Sequence, residues 1–200
     1  MKTVPYSEIE ALAGDLSGRM RDKLPTSEAT MLRAFFAEEL ADLWTREAWP
    51  ELCDNLEAVT LDADNCFSTR EGDADEMGDI LALTTGGDPR TATGITRLPA
   101  DEYGRLDGRV HVLSSVTGGL WVDWQLPAPD LLDNTALGIA NDAALAAYEI
   151  PARFKLPLAA RGAALLLSEE DPAQAGVLRG LAEQNLLRQT ARIQKPWWRK

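Results

Sequence analysis

Apolar positions recur at helical spacing at both ends of this chain and alternate in its middle. Near the start, Ile9, Leu12, Ala13 and Leu16 share one face of a helical period. Ser7-Glu8-Ile9-Glu10 just ahead of them forms a capping box, with a glutamate three residues after the serine. A short first helix is expected, ending near Gly14 or Gly18. Pro25-Thr26-Ser27-Glu28 opens a second helix with the stripe Leu32, Phe35, Phe36, Leu40, Leu43 and Trp44. Trp49-Pro50 closes it, because the residue before a proline is pushed out of helical space.

After Leu52 the period shortens to that of a strand. Alternation runs through 56–61, 79–85, 95–98, 109–114 and 120–126. The turn signals between these runs are Gly72-Asp73, Gly86-Gly87-Asp88-Pro89, Asp107-Gly108 and Thr117-Gly118-Gly119. The last two runs are expected to pair as a hairpin. Trp121 and Trp124 are expected on one of its faces, either packed against helices or open to stack sugars or bases. Pro127-Ala128-Pro129 ends the β region, since proline cannot continue a ladder.

Helical periodicity returns from Asn134. Pro151 and Pro157 confine the best helix to 156–168, and Glu169-Glu170-Asp171-Pro172 breaks it. Asp171 as N-cap and Pro172 at the first helical position then start a terminal helix over 173–194. Its loose apolar stripe is Val177, Leu178, Leu181, Leu186, Leu187 and Ile193. The expected fold class is α+β: a helical bundle formed by N- and C-terminal helices, with a small antiparallel β insertion in the middle. The segments are 1–55 and 131–194 for the bundle, 56–130 for the insertion, and 195–200 as a basic aromatic tail.

Composition narrows the classes. The hydrophobic fraction of 45% over 200 residues supports a folded domain of good size and excludes a disordered chain. No apolar run is long enough to cross a bilayer, and Met1-Lys2-Thr3-Val4-Pro5 lacks a signal-peptide core, so a cytoplasmic origin without a membrane partner is expected. The net charge of −12 is unevenly spread: −6 over 1–57, −9 over 58–133 and +3 over 134–200. A protein that holds DNA by its phosphates shows the opposite balance, so any DNA near this one passes by without being gripped. From Pro172 onward one acid, Glu183, faces six bases, and the chain finishes Pro196-Trp197-Trp198-Arg199-Lys200. Arg188, Arg192, Lys195, Pro196, Trp197, Trp198, Arg199 and Lys200 therefore form a candidate docking tail, because bases and exposed indoles together look made to be covered.

Candidate chemistry adds little. Cys53 and Cys66 lie thirteen residues apart without a secretory context, which argues against a disulfide. The lone His111, in an alternating strand, is expected at a surface or edge position and cannot build a metal site or triad by itself. Asp62-Ala63-Asp64-Asn65 and Asp73-Ala74-Asp75-Glu76 each look like half a calcium loop, but neither completes the spacing, so solvated acidic loops are expected. Gly86-Gly87-Asp88-Pro89 is a turn with no lysine-serine pair after it, and no Gly-x-Ser-x-Gly elbow occurs. No catalytic residue, metal or cofactor is expected.

Four stretches nevertheless resemble one family, the head–tail adaptor (neck or connector) proteins of tailed bacteriophages, including the tail tubular protein A group. They are the opening Met1-Lys2-Thr3-Val4-Pro5-Tyr6-Ser7-Glu8; the aromatic end of the second helix, with Trp44 and Ala48-Trp49-Pro50-Glu51-Leu52; the strand-then-proline exit Trp121-Val122-Asp123-Trp124-Gln125-Leu126-Pro127-Ala128-Pro129; and Ile150-Pro151 with Leu156-Pro157-Leu158-Ala159-Ala160-Arg161-Gly162-Ala163-Ala164. The tyrosine- and glycine-rich segment that many such proteins carry after the prolines is absent here. The resemblance implies a non-enzymatic virion protein in the neck, assembled in the host cytoplasm as a ring of about twelve copies. Portal protein would bind the C-terminal tail, and a tail or further neck protein would bind the other side. Double-stranded DNA would slide through an acidic lumen, with Glu71, Asp73, Asp75, Glu76 and Asp79 as candidate channel-lining residues. A tail-completion or tube-terminating protein is the alternative reading, and a virion-borne cell-wall hydrolase with a carboxylate pair the remote one.

Overall fold

A computed structural model describes residues 2–19, 26–53, 55–69, 77–116, 119–129, 131–132 and 145–193. Their elements, in order, are β1 (Thr3–Pro5), α1 (Tyr6–Leu16), α2 (Thr26–Thr45), β2 (Asn55–Val59), β3 (Cys66–Ser68), β4 (Ile80–Thr85), β5 (Thr96–Arg97), β6 (Tyr103–Leu106), β7 (Arg109–Val112), β8 (Leu120–Trp124), β9 (Glu149–Pro151), α3 (Lys155–Leu166) and α4 (Pro172–Thr190). They fall into two compact units, one drawn from Met1–Glu47 and Ala128–Ile193, the other from Ala48–Pro127.

In the first unit, α3 is the central helix. Ala159, Ala160, Ala163 and Ala164 are fully buried, and such short side chains let α1, α2 and α4 come close. Gly162 faces Phe36 so closely that a Cβ there would lie 2.6 Å from the ring. Ile9 and Ala13 of α1, Leu32, Phe36, Leu40 and Leu43 of α2, and Ala175, Leu178, Ala182 and Leu186 of α4 complete the core. Asp171 caps α4 as expected, its Oδ1 accepting from the Gln174 N–H at 3.0 Å, with Pro172 in the first turn. The N-terminal capping box does not form. Helix α1 begins one residue before Ser7, because β1 pairs antiparallel with β9 and the Tyr6 N–H donates to the Tyr148 carbonyl at 2.8 Å. With Tyr6 already in the first turn, Ser7 stands inside the helix and is not its N-cap.

The second unit is built from two antiparallel sheets, ordered β2-β8-β4-β5 and β3-β7-β6. Phe67, Val110 and Val112 from one sheet meet Leu83, Leu120, Val122 and Trp124 from the other in a single core. The expected hairpin between 109–114 and 120–126 is not made: β7 pairs with β6 and β3, while β8 pairs with β2 and β4. The reason is the Asp107-Gly108 turn, whose two positive φ angles (53° and 72°) close a tight β6–β7 hairpin first. Trp121 and Trp124 do not share a face either. Three residues apart on β8, they point to opposite sides; Trp124 enters the core and Trp121 is half-buried. His111 is not at an edge, since β7 is the middle strand of its sheet.

The expectation of a helical bundle carrying a small β insertion is thereby overturned. The described residues hold four helices and nine strands in three antiparallel sheets. The β region has its own core between two sheets, and a further strand pair is part of the helical unit. Short strands of three or four residues leave too little alternation to read, so β1, β3, β6 and β9 gave no signal.

Two glycines on adjoining helices test this packing in opposite directions. Gly162→Val should destabilise by about 1–3 kcal/mol through overpacking against Phe36. Gly176→Ala, on exposed α4 with open space around the new methyl, should stabilise by about 0.5–1 kcal/mol. Urea unfolding midpoints of the two variants check both signs.

Candidate interaction surface

Helix α4 has apolar residues on two sides. Ala175, Leu178, Ala182 and Leu186 face α3, which accounts for its fold. On the other side Val177 is 72% exposed, Leu187 61% and Leu181 38%. At about 100° per residue, Val177, Leu181, Gln184 and Arg188 lie along one narrow stripe. The guanidiniums of Arg188 and Arg192 beside this strip, and of Arg179 further round the helix, are exposed and make no ion pair or hydrogen bond with any described residue. An apolar strip edged by unpaired guanidiniums is contact chemistry, suited to a partner with apolar and anionic groups.

The inner edge of this surface is a charged cluster. The Arg161 guanidinium, with its side chain 14% exposed, donates to Glu39 and Glu183 and lies 3.7 Å from Asp42. Arg46 donates to the other Glu183 oxygen at 3.0 Å. Burial pulls the Arg161 pKa down, but hydrogen bonds to Glu39 and Glu183 outweigh it, and the net shift is upward. Glu183 is held below the ordinary glutamate range by hydrogen bonds from Arg46 and Arg161. A hollow of about 420 Å³, lined by Phe35, Glu39, Arg161, Leu165, Arg179 and Glu183, opens above the cluster.

Beside it, α2 presents an outer stripe of its own. Met31 is 43% exposed, Phe35 half-buried, and Glu38 and Asp42 exposed. Of the candidate docking residues, Arg188 lies in the last turn of α4 and Arg192 just after it; Lys195, Pro196, Trp197, Trp198, Arg199 and Lys200 lie outside the described residues. Of the channel-lining candidates, Asp79 is exposed in the β unit immediately before β4, where its carbonyl accepts from the Gln125 N–H at 2.8 Å. Glu71, Asp73, Asp75 and Glu76 lie outside the described residues. Sequence reasoning missed the outer stripe of α2 and the Arg161 cluster. The second apolar face of α4 was there to be found by plotting the helix as a wheel.

In the β unit, Cys66 and His111 sit directly opposite on β3 and β7, with Sγ 2.9 Å from Nδ1. Cys53 lies 3.4 Å from the Gln125 Oε1, and both cysteines are free thiols. Asp62 caps its own loop, its Oδ1 accepting from the Asp64 and Cys66 N–H groups while Oδ2 binds Arg109. Among the described residues no three His, Cys, Asp or Glu side chains converge as a metal site. No helix among them is long and apolar enough to cross a membrane. Searched against protein-family models and against curated proteins, the chain matches none.

Arg161→Met removes the donor that Glu39 and Glu183 share and should destabilise by about 1.5–3 kcal/mol at neutral pH. Because the Glu183 carboxyl titrates below its ordinary value of 4.5, its contribution is complete above that value and lost as pH falls through the lowered one. The deficit of the variant should therefore shrink in acid. Unfolding midpoints at neutral pH and below pH 4.5 check this.

Proposed function

We propose that this chain is a structural adaptor of a tailed-phage virion, a ring-forming protein of the neck between portal and tail, with no catalytic step. The observation that carries the reading is the outer side of α4, where Val177, Leu181 and Leu187 lie exposed beside Arg188 and Arg192, whose guanidiniums have no partner among the described residues. A monomer gains nothing from leaving that surface in water, whereas an assembly component uses it.

Charge supports the same reading. On a chain of net −12, the C-terminal third is the basic part. It is suited to an anionic protein partner, while the acidic remainder suits a wall past which DNA phosphates move without sticking. In this reading the tail from Pro196 to Lys200 seats on the portal, and acids of the β unit, Asp79 among them, face the lumen.

Pull-down of purified portal protein tests it. The full chain should retain portal, and a chain lacking 196–200 should not, while melting at the same temperature. Normal retention by the shortened chain overturns the tail as the docking element. Retention of tail-tube protein in place of portal by the full chain overturns the placement in favour of a tube terminator.

A further inference from the structure

We infer that copies of this chain associate head-to-tail through two different helix faces, the outer stripe of α4 on one copy and the outer stripe of α2 on the next. The inference rests on the ring in the reading above, and not on the portal. It names the surfaces that make the ring.

Glu39, Arg161 and Glu183 meet at one level of the helical unit, and Phe35, Leu165 and Arg179, four residues along each helix, line the same hollow. Counting upward along α3 means counting downward along both α2 and α4. Both helices therefore run antiparallel to α3 and parallel to each other; Glu39 and Glu183, which share Arg161, differ by 144 in number, and Arg46, just past α2, reaches the same Glu183 across 137.

The stripes have matching contents. On α2 the order is Met31, Phe35, Asp42; on α4 it is Val177, Leu181, Arg188. Each triplet is spaced by four and then seven residues, and each runs apolar, apolar, charged, with opposite charge at the end. Laying one triplet on the other sets an offset of 146 residues. That is two residues, or about 3 Å along the axis, from the pairing of Glu39 with Glu183 on Arg161. A rotation between neighbouring copies, with almost no slide along the helices, thus brings Met31 to Val177, Phe35 to Leu181 and Asp42 to Arg188. That operation closes a ring.

The charges also exclude the alternative of α4 against α4. Arg188 and Arg192 would then face their own copies, and no acid on the outer stripe of α4 would answer them. Asp42, with its side chain 68% exposed, and the exposed Glu38 supply that answer on α2.

Sedimentation of four samples tests the pairing. Wild type should form species larger than the monomer that dissociate on dilution and on raising salt, because ion pairs contribute. Leu181→Glu and Met31→Glu should each sediment as monomers, with unchanged helix content by circular dichroism. Mixed in equal amounts at the highest concentration at which wild type associates, they should give one-to-one dimers and nothing larger, since the first keeps a good α2 face and the second a good α4 face. A mixture that stays monomeric, or either single variant assembling as wild type does, overturns the α2–α4 pairing while leaving a ring built on other surfaces. A wild type that stays monomeric at every concentration overturns the pairing and the ring together, and portal capture is then judged by the pull-down alone.

Discussion

The helical unit depends on how closely three helices can approach α3. Four fully buried alanines and a glycine give that helix almost no side-chain bulk where its neighbours lie. Close approach multiplies dispersion contacts and leaves no room for a shift of one turn without a clash at Phe36. Direction follows from packing. With α2 and α4 both antiparallel to α3, the two helices run in the same sense. A looser, leucine-lined α3 would hold its neighbours further apart and fix their levels less firmly.

Arg161 adds specificity to that arrangement. It is mostly buried, so its charge has to be answered, and the two carboxylates that answer it come from different helices. Such a cluster is a modest source of stability, because desolvation offsets much of the Coulomb attraction. Its larger effect is on register: sliding α4 by a turn would take Glu183 away from a guanidinium that cannot shed its proton. Arg46, reaching the other oxygen of Glu183, ties the end of α2 to the same point.

Much of this could be read from the chain, and the misses have physical causes. The four helices were legible because each carries a long period or an unmistakable start, of which Asp171-Pro172 is the clearest. The strand pairing was not, because alternation says which residues alternate and nothing about their neighbours. The Asp107-Gly108 turn decided it, and β6 beside that turn was too short to notice. Strands β1 and β9 pair across more than a hundred residues and have no local signature at all. The Arg161 cluster was equally hidden, its partners lying 122 and 22 residues away. The second face of α4 is a different case. Its residues were visible, but a single stripe was read where two exist, one satisfied by α3 and the other left over.

The magnitude of that leftover face bears on how an assembly would behave. Covering an apolar side chain fully is worth about 1.5–3 kcal/mol. Val177, Leu181, Met31 and Phe35 are each partly covered already, so the return from one contact is smaller than four times that figure. Bringing two proteins together costs about 4–15 kcal/mol of motional freedom. A single α2–α4 contact is therefore weak and populated only at high protein concentration, and the added ion pair of Asp42 with Arg188, at a solvent-exposed rim, adds about 1 kcal/mol or less. Closure changes the balance. The last copy to enter a ring makes two contacts for one loss of freedom, so weak neighbours become a stable circle only when it is complete. On the proposed pairing, free copies therefore associate at high concentration and dissociate on dilution, and any surface that gathers copies at one place favours the closed circle.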